Sequence, residues 1–472
     1  MDPTKLSARE MSSEMAARRL SPVELMRATL ERAELANQQY SAFITVAHDA
    51  ALARAREIER SYASGEKQPP CAGIPVSLKD TEDTAGIRTT YGSPLYREHV
   101  PAEDGAAAAN VRRSGGVIFA KTNTPAFAHN DTGDNLISPP TRNPRKPTHS
   151  AAGSSSGAAA SVAAGVSPFA HGTDGSGSVR IPASVCGVVG FKPSYGRVPV
   201  WPHRDLWAAR THHGVLARTV EDAAMGMISL SGPCDFDPLA IATPLDWLAF
   251  REGPALRGAR GMYVEQLGTD RVDPEVAQCC RRAVGLLLQE GLEIDERRLD
   301  VGHTHDWYCD LWQPPVARQL GEALASDPAS IDETLKELIV RGQSVSIERF
   351  LAAREARSRF HTDFTRHMAD HAFLVSPTLP CAAWPVGSLP TVGDGRAPAF
   401  GHSGSRWDGL YYFNILGWPA ISVPCGATRD GRPIGLQIVA RKDQDLFCLR
   451  IADLLEQIVQ PLSFQQVTTE PS

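Results

Sequence analysis

Residues 153 to 182 constrain the fold more than any other part of the chain. They read GSSSGAAASVAAG, then VSPFAH, then GTDGSGSVRIP, so two loops rich in glycine and serine flank a segment rich in alanine. Such clusters are usually flexible linkers, but this one runs directly into good helix formers at 158–164 and is followed by the apolar run 185–191. We therefore expect both loops to lie within packed structure, where small residues let the backbone approach another group closely.

Composition excludes several classes of function. The net charge of −6 over 472 residues argues against nucleic acid as the main partner. The first residues lack a basic segment followed by an apolar one, and no run approaches the length of a membrane span, so neither a secretory signal nor a membrane partner is predicted. Nine scattered cysteines without a Cys-x-x-Cys motif indicate reduced thiols and a cytoplasmic protein.

The order of predicted elements indicates an α/β protein. Helices are predicted in two parts of 4–36 (the second opened by Ser21-Pro22) and at 49–62, 106–113, 158–164, 219–230, 275–289, most of 304–371 and 447–459. Strands are predicted at 41–46, 73–80, 116–121, 292–299, 373–376, and in a hairpin of 420–424 and 433–440. This alternation predicts one large domain over 1–472 with a central mixed, mainly parallel β-sheet covered by helices on both faces. The more helical segment 233–371 is predicted to be a variable, cap-like part.

Three motifs then carry a resemblance. Lys79 within GIPVSLKD, Ser154 within GSSSG and Ser178 within GTDGSGSVRIP resemble the motifs of the amidase signature family. The spacings of 75 and 24 residues between these three positions are also similar to those of the family. Further similar segments extend the resemblance over most of the chain: KTN at 121–123, CGVVGFKP at 186–193 and GWPAISVP at 417–424.

The resemblance implies a Ser–Ser–Lys catalytic triad. Ser178 would be the nucleophile and Lys79 the base, with Ser154 between them, following a cis peptide bond after Gly153. A serine hydroxyl needs an adjacent base to attack, and a lysine can serve only when neutral, which requires burial and a lowered pKa. The end of an apolar strand suits such burial.

The residues around the implied nucleophile receive supporting roles. Backbone N–H groups are expected to form the oxyanion hole, and these belong to Gly175, Ser176, Gly177 and Ser178. Asp174 and Arg180 are expected to hold the loop through hydrogen bonds or a buried ion pair, and Ser155 is expected to be a hydrogen-bond partner. The usual Thr-Gly-Gly-Ser of the family is Gly-Ser-Gly-Ser here, and a serine is uncommon wherever a positive φ is needed.

Other functions fit the sequence less well. GSSSG at 153–157 also matches the Gly-x-Ser-x-Gly nucleophile elbow, with Ser155 as the nucleophile of an esterase, but that motif follows a strand and 146–150 predicts a poor one. Phosphate binding lacks the Gly-Lys-Ser/Thr sequence. His303 and His305 have no third placed ligand, so neither a metal nor a cofactor is predicted. Within the family, a glutaminase-type amidotransferase subunit remains the alternative.

Substrate preference is predicted from aromatic residues in segments that resemble the family's variable pocket walls, at 200–213, 303–345 and elsewhere. These are Tyr91, Trp201, Trp207, Tyr308, Trp312, Trp407, Tyr411 and Tyr412. If they line a pocket, it is largely apolar. The prediction is hydrolysis of a neutral amide-type bond in a small molecule, with aryl amides (anilides) or carbamates (urethanes) favoured, by a monomer or homodimer.

Overall fold

The computed structural model describes residues 2–206, 211–393, 395–398 and 406–459. Its helices are α1 (Ala8–Ala16), α2 (Pro22–Tyr40), α3 (His48–Ser64), α4 (Ala106–Arg113), α5 (Ser156–Ala163), α6 (Arg180–Cys186), α7 (Val220–Leu230), α8 (Pro274–Gln289), α9 (His305–Ser326), α10 (Glu333–Gln343), α11 (Ile347–Met368), α12 (Asp408–Leu416) and α13 (Asp445–Ile458). None of these helices is both long and apolar enough to cross a lipid bilayer.

The strands are β1 (Phe43–Val46), β2 (Pro75–Lys79), β3 (Val117–Thr122), β4 (Arg142–Asn143), β5 (Lys146–Ser150), β6 (Phe169–Asp174), β7 (Val189–Lys192), β8 (His212–Ala217), β9 (Arg260–Tyr263), β10 (Glu293–Glu296), β11 (Phe373–Pro377), β12 (Ala420–Ala427) and β13 (Pro433–Ala440). Eleven of them form one sheet in the order β1-β3-β2-β6-β8-β7-β12-β13-β11-β9-β10. The predicted hairpin around residues 428–431 is β12 and β13.

The helix starts follow from the sequence. The Ser21 hydroxyl accepts hydrogen bonds from the backbone N–H groups of Val23 and Glu24 at the start of α2, where Pro22 takes the first helical position. Thr219 caps α7 in the same way through the N–H of Asp222. Such caps satisfy donors that have no partner within the helix, and each stabilises the helix by about 1 kcal/mol. Both starts were therefore predictable to within a residue.

The main sheet is mixed, as predicted, but parallel pairing does not dominate it. Among the described strands, β2 pairs in parallel with β3 and β6, and β9 pairs in parallel with β10 and β11. The other six pairings are antiparallel. Two strands that the sequence did not predict, β6 and β8, account for part of this difference, because β8 runs antiparallel to both β6 and β7.

Neighbouring residues of a strand face hydrophobic cores on opposite sides of the sheet, where the two larger cores lie. In β3, Ile118 belongs to one core and its neighbour Phe119 to the other, as the two-residue period of a strand requires. Helices α1, α4, α7, α8 and α13 cover the first face, and α2, α3, α5 and α6 cover the second. Complete burial of a side chain such as Phe119, which is fully buried, contributes roughly 2–3 kcal/mol. The prediction of helices on both faces is confirmed.

Two further expectations need correction. Residues 146–150, expected to be a poor strand, form β5, which pairs with β4 in a separate two-stranded sheet. The segment 233–371 is not wholly a cap, because β9 and β10 belong to the main sheet and α8 packs against it. Helices α9 and α11 share a hydrophobic core with strands β9, β11 and β13, whereas α10 packs mainly on α9, so the cap-like role stays a prediction for α10 alone.

The fold brings four chain segments to one edge of the sheet. Strands β2 and β6 are parallel neighbours, so their carboxyl ends, at Lys79 and Asp174, meet at the same edge. The loops that lead into α5 and α6 contain Ser154 and Ser178 and lie at this edge too. In open α/β sheets, sites commonly form outside the carboxyl ends of the strands.

Candidate active site

Lys79 lies at the centre of the site with no solvent-exposed surface. Its Nζ donates hydrogen bonds to the Ser154 hydroxyl at 2.7 Å and to the Thr173 hydroxyl at 2.8 Å. Burial lowers the pKa of Lys79 to about 7, while the negative charge of Asp174 opposes this shift. Desolvation disfavours the charged ammonium, so a large fraction of this amine is neutral near pH 7, as a general base must be.

The loop that carries Ser154 is fixed by close backbone packing. Ala152 has a positive φ of 57° and the Gly153–Ser154 peptide bond is cis, as the resemblance implied. A Cβ at Gly157 would lie 2.1 Å from the Ala42 carbonyl oxygen and 2.3 Å from the Asn123 nitrogen, so only glycine fits there. This close approach explains why the Gly/Ser cluster is part of the packed structure.

Ser155 makes the hydrogen bonds that its predicted supporting role requires. Its side chain is fully buried. Its hydroxyl donates to the Thr173 carbonyl and accepts from the Thr173 N–H, both at 3.2 Å. Ser155 therefore joins the first loop to the end of β6.

Ser178 is the partly exposed serine of the group. Its carbonyl accepts a hydrogen bond from the Ser155 N–H at 3.3 Å, which places the two loops side by side. Within the described residues, the Ser178 hydroxyl makes no hydrogen bond to another group, Ser154 included. Catalytic hydrogen bonds are often long before substrate binds, and this hydroxyl is open to a substrate.

Asp174 and Arg180 form the buried ion pair that was expected, with their side chains completely removed from solvent. Arg180 donates from Nη2 and Nε to the two carboxylate oxygens at 2.9 and 3.0 Å. Burial alone would raise the pKa of Asp174, but the charge and hydrogen bonds of Arg180 hold it far below its usual range. Arg180 also bonds to Gln437 and Asn414, so the pair ties this loop to β13 and α12.

One of the four predicted oxyanion-hole donors is already engaged. The Gly177 N–H donates to the Asp174 carboxylate at 2.7 Å, so the assignment of Gly177 to the oxyanion hole is wrong for this arrangement. Gly177 instead provides the positive φ of the loop, 106°, and Ser176 does not have a positive φ. The non-glycine residue at 176 is therefore compatible with the backbone. The N–H groups of Gly175, Ser176 and Ser178 stay predictions.

A buried pair of tyrosines, Tyr308 and Tyr411, packs against this loop. The Tyr308 hydroxyl donates to the Gly175 carbonyl at 2.7 Å and lies 2.9 Å from the Ser176 hydroxyl. The Tyr308 ring stacks on Tyr411 with centroids 3.9 Å apart and planes at 4°. Of the predicted pocket aromatics, Tyr308 is thus placed directly beside the site.

The other predicted aromatic residues make contacts elsewhere in the structure. Trp312 and Tyr412 belong to a hydrophobic core with helix α11. Trp201 stacks on Phe236, Tyr91 stacks on Phe127, and the Trp407 indole N–H donates to Asp131 at 2.6 Å. Trp207 lies outside the described residues.

Sequence reasoning missed several neighbours of Lys79. Thr173 binds its amine, and His171 Nδ1 accepts its backbone N–H at 3.3 Å. His171, His213 and Glu82 are buried, and in the described part of the chain they form the single group of metal-ligand type whose candidate atoms lie within 4.8 Å of one another. Thr173 lies within the recognised motif that begins at Gly172, and His171 directly precedes it; their two-residue spacing on a strand was the available signal. His303 and His305 are not members of this group.

The sequence is similar to those of known amidases and amidotransferase subunits. A family model described as Amidase matches residues 24–449. An acylamidase from Rhodococcus erythropolis is 33% identical over 461 residues, with 96% of this chain and 95% of the relative covered. A glutamyl-tRNA(Gln) amidotransferase subunit from Acidothermus cellulolyticus is 32% identical over 488 residues, with 96% of this chain and 94% of the relative covered.

Solved structures agree over the full length. A bacterial aryl acylamidase described as an amidase signature enzyme superposes with a TM-score of 0.92 at 26% identity, covering 99% of each chain. A 6-aminohexanoate cyclic dimer hydrolase in complex with its substrate gives a TM-score of 0.88 at 29% identity, covering 99% of this chain and 100% of the other.

Proposed function

The chain belongs to the amidase signature family, and we propose that it is a serine hydrolase that cleaves a neutral amide-type C–N bond through an acyl-enzyme on Ser178. The observation that carries the proposal is the buried Lys79 amine, 2.7 Å from the Ser154 hydroxyl and with a pKa lowered to about 7. An amine held neutral beside a hydroxyl is the arrangement that a serine nucleophile needs from its base.

The reaction proceeds in two halves. Ser178 Oγ bonds to the substrate carbonyl carbon while its proton passes to Ser154, and the proton of Ser154 passes to the Lys79 amine. The C–N bond then breaks as the leaving nitrogen takes a proton from Ser154, which is replenished from Lys79. Water attacks the resulting ester with the same groups in the same order, which releases the acid and restores the three side chains.

The oxyanion of each half forms beside the loop at 175–178. We assign its donors to the N–H groups of Gly175, Ser176 and Ser178, since Gly177 already donates to Asp174. The Asp174–Arg180 pair keeps these donors in place before substrate binds, and preorganised donors stabilise developing charge without reorganisation.

The favoured substrates are aryl amides, anilides or carbamates. Tyr308 lies against the loop that carries the nucleophile and stacks on Tyr411, so the packing behind that loop is aromatic and apolar. The similarity to an acylamidase and to an aryl acylamidase supports the same class.

The rival functions are less well supported. A glutaminase-type subunit is favoured by the similarity to the glutamyl-tRNA(Gln) amidotransferases, whereas the similarity to an acylamidase and to an aryl acylamidase supports the proposed class. The esterase with Ser155 as nucleophile is disfavoured because both hydrogen-bonding functions of that buried hydroxyl are used by Thr173.

The test is covalent labelling by a fluorophosphonate combined with a substrate panel. Ser178→Ala should abolish both labelling and hydrolysis, while the matched variant Ser155→Ala should keep measurable activity. Initial rates on an anilide, an aryl carbamate, a primary amide and glutamine should favour the first two. Labelling that survives in Ser178→Ala and vanishes in Ser155→Ala would establish the elbow mechanism, and a preference for glutamine would establish the glutaminase.

A further inference from the structure

The backbone of Lys79 is held by a side chain where the strand ladder stops. Strand β2 pairs with β6 at Ser77 and Ala170, two residues before Lys79. Beyond that point the next residue of β6, His171, accepts the Lys79 N–H through Nδ1 at 3.3 Å. Both residues are fully buried, so without this acceptor the N–H of Lys79 would lose its partner away from water, which destabilises a fold.

This contact fixes the tautomer of His171. A ring nitrogen that accepts a hydrogen bond carries no proton, so the proton of the neutral imidazole is on Nε2. His171 Nε2 lies 3.0 Å from His213 Nδ1 on β8, and it therefore donates to that atom. Burial lowers the pKa of His213 to about 3 and that of His171 well below its ordinary value, which keeps both rings neutral.

The same tautomer argues against a cation at this cluster. His171 Nε2, His213 Nδ1 and a Glu82 oxygen are close enough to bind one ion. A metal ion would bind Nε2 through its lone pair, which is free only when the proton of the imidazole is on Nδ1. Nδ1 cannot carry that proton, because it accepts the hydrogen bond from the Lys79 N–H. Burial also raises the pKa of Glu82, which favours the neutral acid over a carboxylate ligand.

We propose that His171 is a positioning residue for Lys79: it accepts the Lys79 backbone N–H through Nδ1, is locked in that tautomer by His213, and so holds the amine in line with Ser154. Thr173, two residues further along β6, binds Nζ of the same lysine, so one strand fixes both ends of Lys79. This role rests on the proposed function of Lys79 as the base. The titratable groups that face His171 are Lys79, Lys121 on β3, His213 and Glu82, and the role requires none of them to change charge.

A matched pair of variants separates the two contacts of the ring. The substitution His171→Asn places an amide oxygen near the position of Nδ1, so it preserves the acceptor for Lys79. The substitution His171→Gln places an amide near Nε2, so it preserves the donor to His213 and loses the acceptor. Both new side chains are polar and similar in size, which makes each variant the control for the stability of the other.

The readout is the rate of Ser178 labelling by a fluorophosphonate as a function of pH, which requires no knowledge of the substrate. His171→Asn should keep the midpoint of the acid limb within about 0.3 pH units of wild type. In His171→Gln the end of β2 relaxes and water reaches the amine, so the midpoint should rise by about one pH unit, and labelling at pH 7 should fall about fivefold, as the neutral fraction of the amine falls. A merely structural role would lower the melting temperature of both variants and leave the midpoint unmoved.

Two further results would overturn the inference, and one would overturn only its premise. Nitrogen-15 NMR of histidine-labelled wild-type protein should show His171 with its proton on Nε2, and a proton on Nδ1 would refute the assignment whether or not the variants fold. Stoichiometric zinc retained after dialysis in wild type and lost in His171→Asn would replace the positioning role by a metal site. Unchanged labelling in Lys79→Ala would refute the proposal that Lys79 is the base, but it would not affect the assignment of the His171 tautomer.

Discussion

The burial of Lys79 should leave a measurable signature in the stability of the protein. Burial lowers the pKa of this amine from 10.5 to about 7, a difference of about 3.5 pH units that corresponds to about 5 kcal/mol between the two protonation states. We predict that replacing the amine in Lys79→Met removes this penalty. This change should contribute up to about 5 kcal/mol of stability where the folded wild type holds a charged amine, and it is opposed by the loss of the two hydrogen bonds of that amine.

The size of the penalty depends on pH. Below pH 7 Lys79 is protonated in both folded and unfolded chains, and the fold bears the whole penalty of about 5 kcal/mol. Between pH 7 and about 10.5 the unfolded chain binds one more proton than the folded chain, so the free energy of unfolding of the wild type rises by about 1.4 kcal/mol per pH unit. Above that range the penalty is gone. The advantage of Lys79→Met should therefore shrink with the same slope as pH increases.

Other consequences of the substitution do not share this slope. Methionine keeps much of the packing volume but leaves the Ser154 and Thr173 hydroxyls without the amine, which costs about 1–3 kcal/mol for each. That loss is independent of pH in this range. The diagnostic quantity is consequently the change of the difference with pH, and its absolute value at one pH is less informative.

The assay is urea unfolding followed by tryptophan fluorescence at intervals of about half a pH unit from roughly pH 6 to 9.5, a range that spans the folded-state pKa and lies below the unfolded-state value. Wild type, Lys79→Met and the exposed-lysine control Lys5→Met are compared, and the control should run parallel to wild type. If the wild-type and Lys79→Met curves also run parallel between about pH 7 and 9, Lys79 does not lose its proton in the fold and the argument for it as a base fails.

Two more predictions concern the same loops. The kcat/KM for an amide should rise with pH along an acid limb whose midpoint lies near pH 7 and is set by Lys79. Lys79→Ala should lower this rate by a factor of about 10²–10⁴, and the loss should be smaller for a matched ester, which has a better leaving group. Wild-type amide turnover in Lys79→Ala would refute the triad. Asp174→Asn should destabilise the protein by about 3–5 kcal/mol, because it leaves the buried Arg180 charge unpaired. Thermal unfolding within about 1 °C of wild type would show that the pair does not hold the loop.

The sequence alone was sufficient for what depends on local pattern and chain spacing. Ser21 and Thr219 identify helix starts because a capping side chain bonds to its own next residues. The resemblance of the motifs around Lys79, Ser154 and Ser178 to those of the amidase signature family predicted that the three residues associate, and the structure brings Lys79 within hydrogen-bond distance of Ser154. These features need little information from distant parts of the chain.

The tertiary structure decided what depends on partners. The strands β6 and β8 pair antiparallel over six residues each, a direction that periodicity does not encode, since alternation predicts which face a side chain takes and not which strand lies beside it. Gly177 does not have its predicted place in the oxyanion hole, because its N–H donates a hydrogen bond to the Asp174 carboxylate. The contact of His171 with Lys79 was not predicted, because only folding places the ring against the backbone of a residue 92 positions earlier in the chain. Hydrogen-bond partners and the desolvation that shifts the pKa of Lys79 exist only after packing, and so only the folded chain defines them.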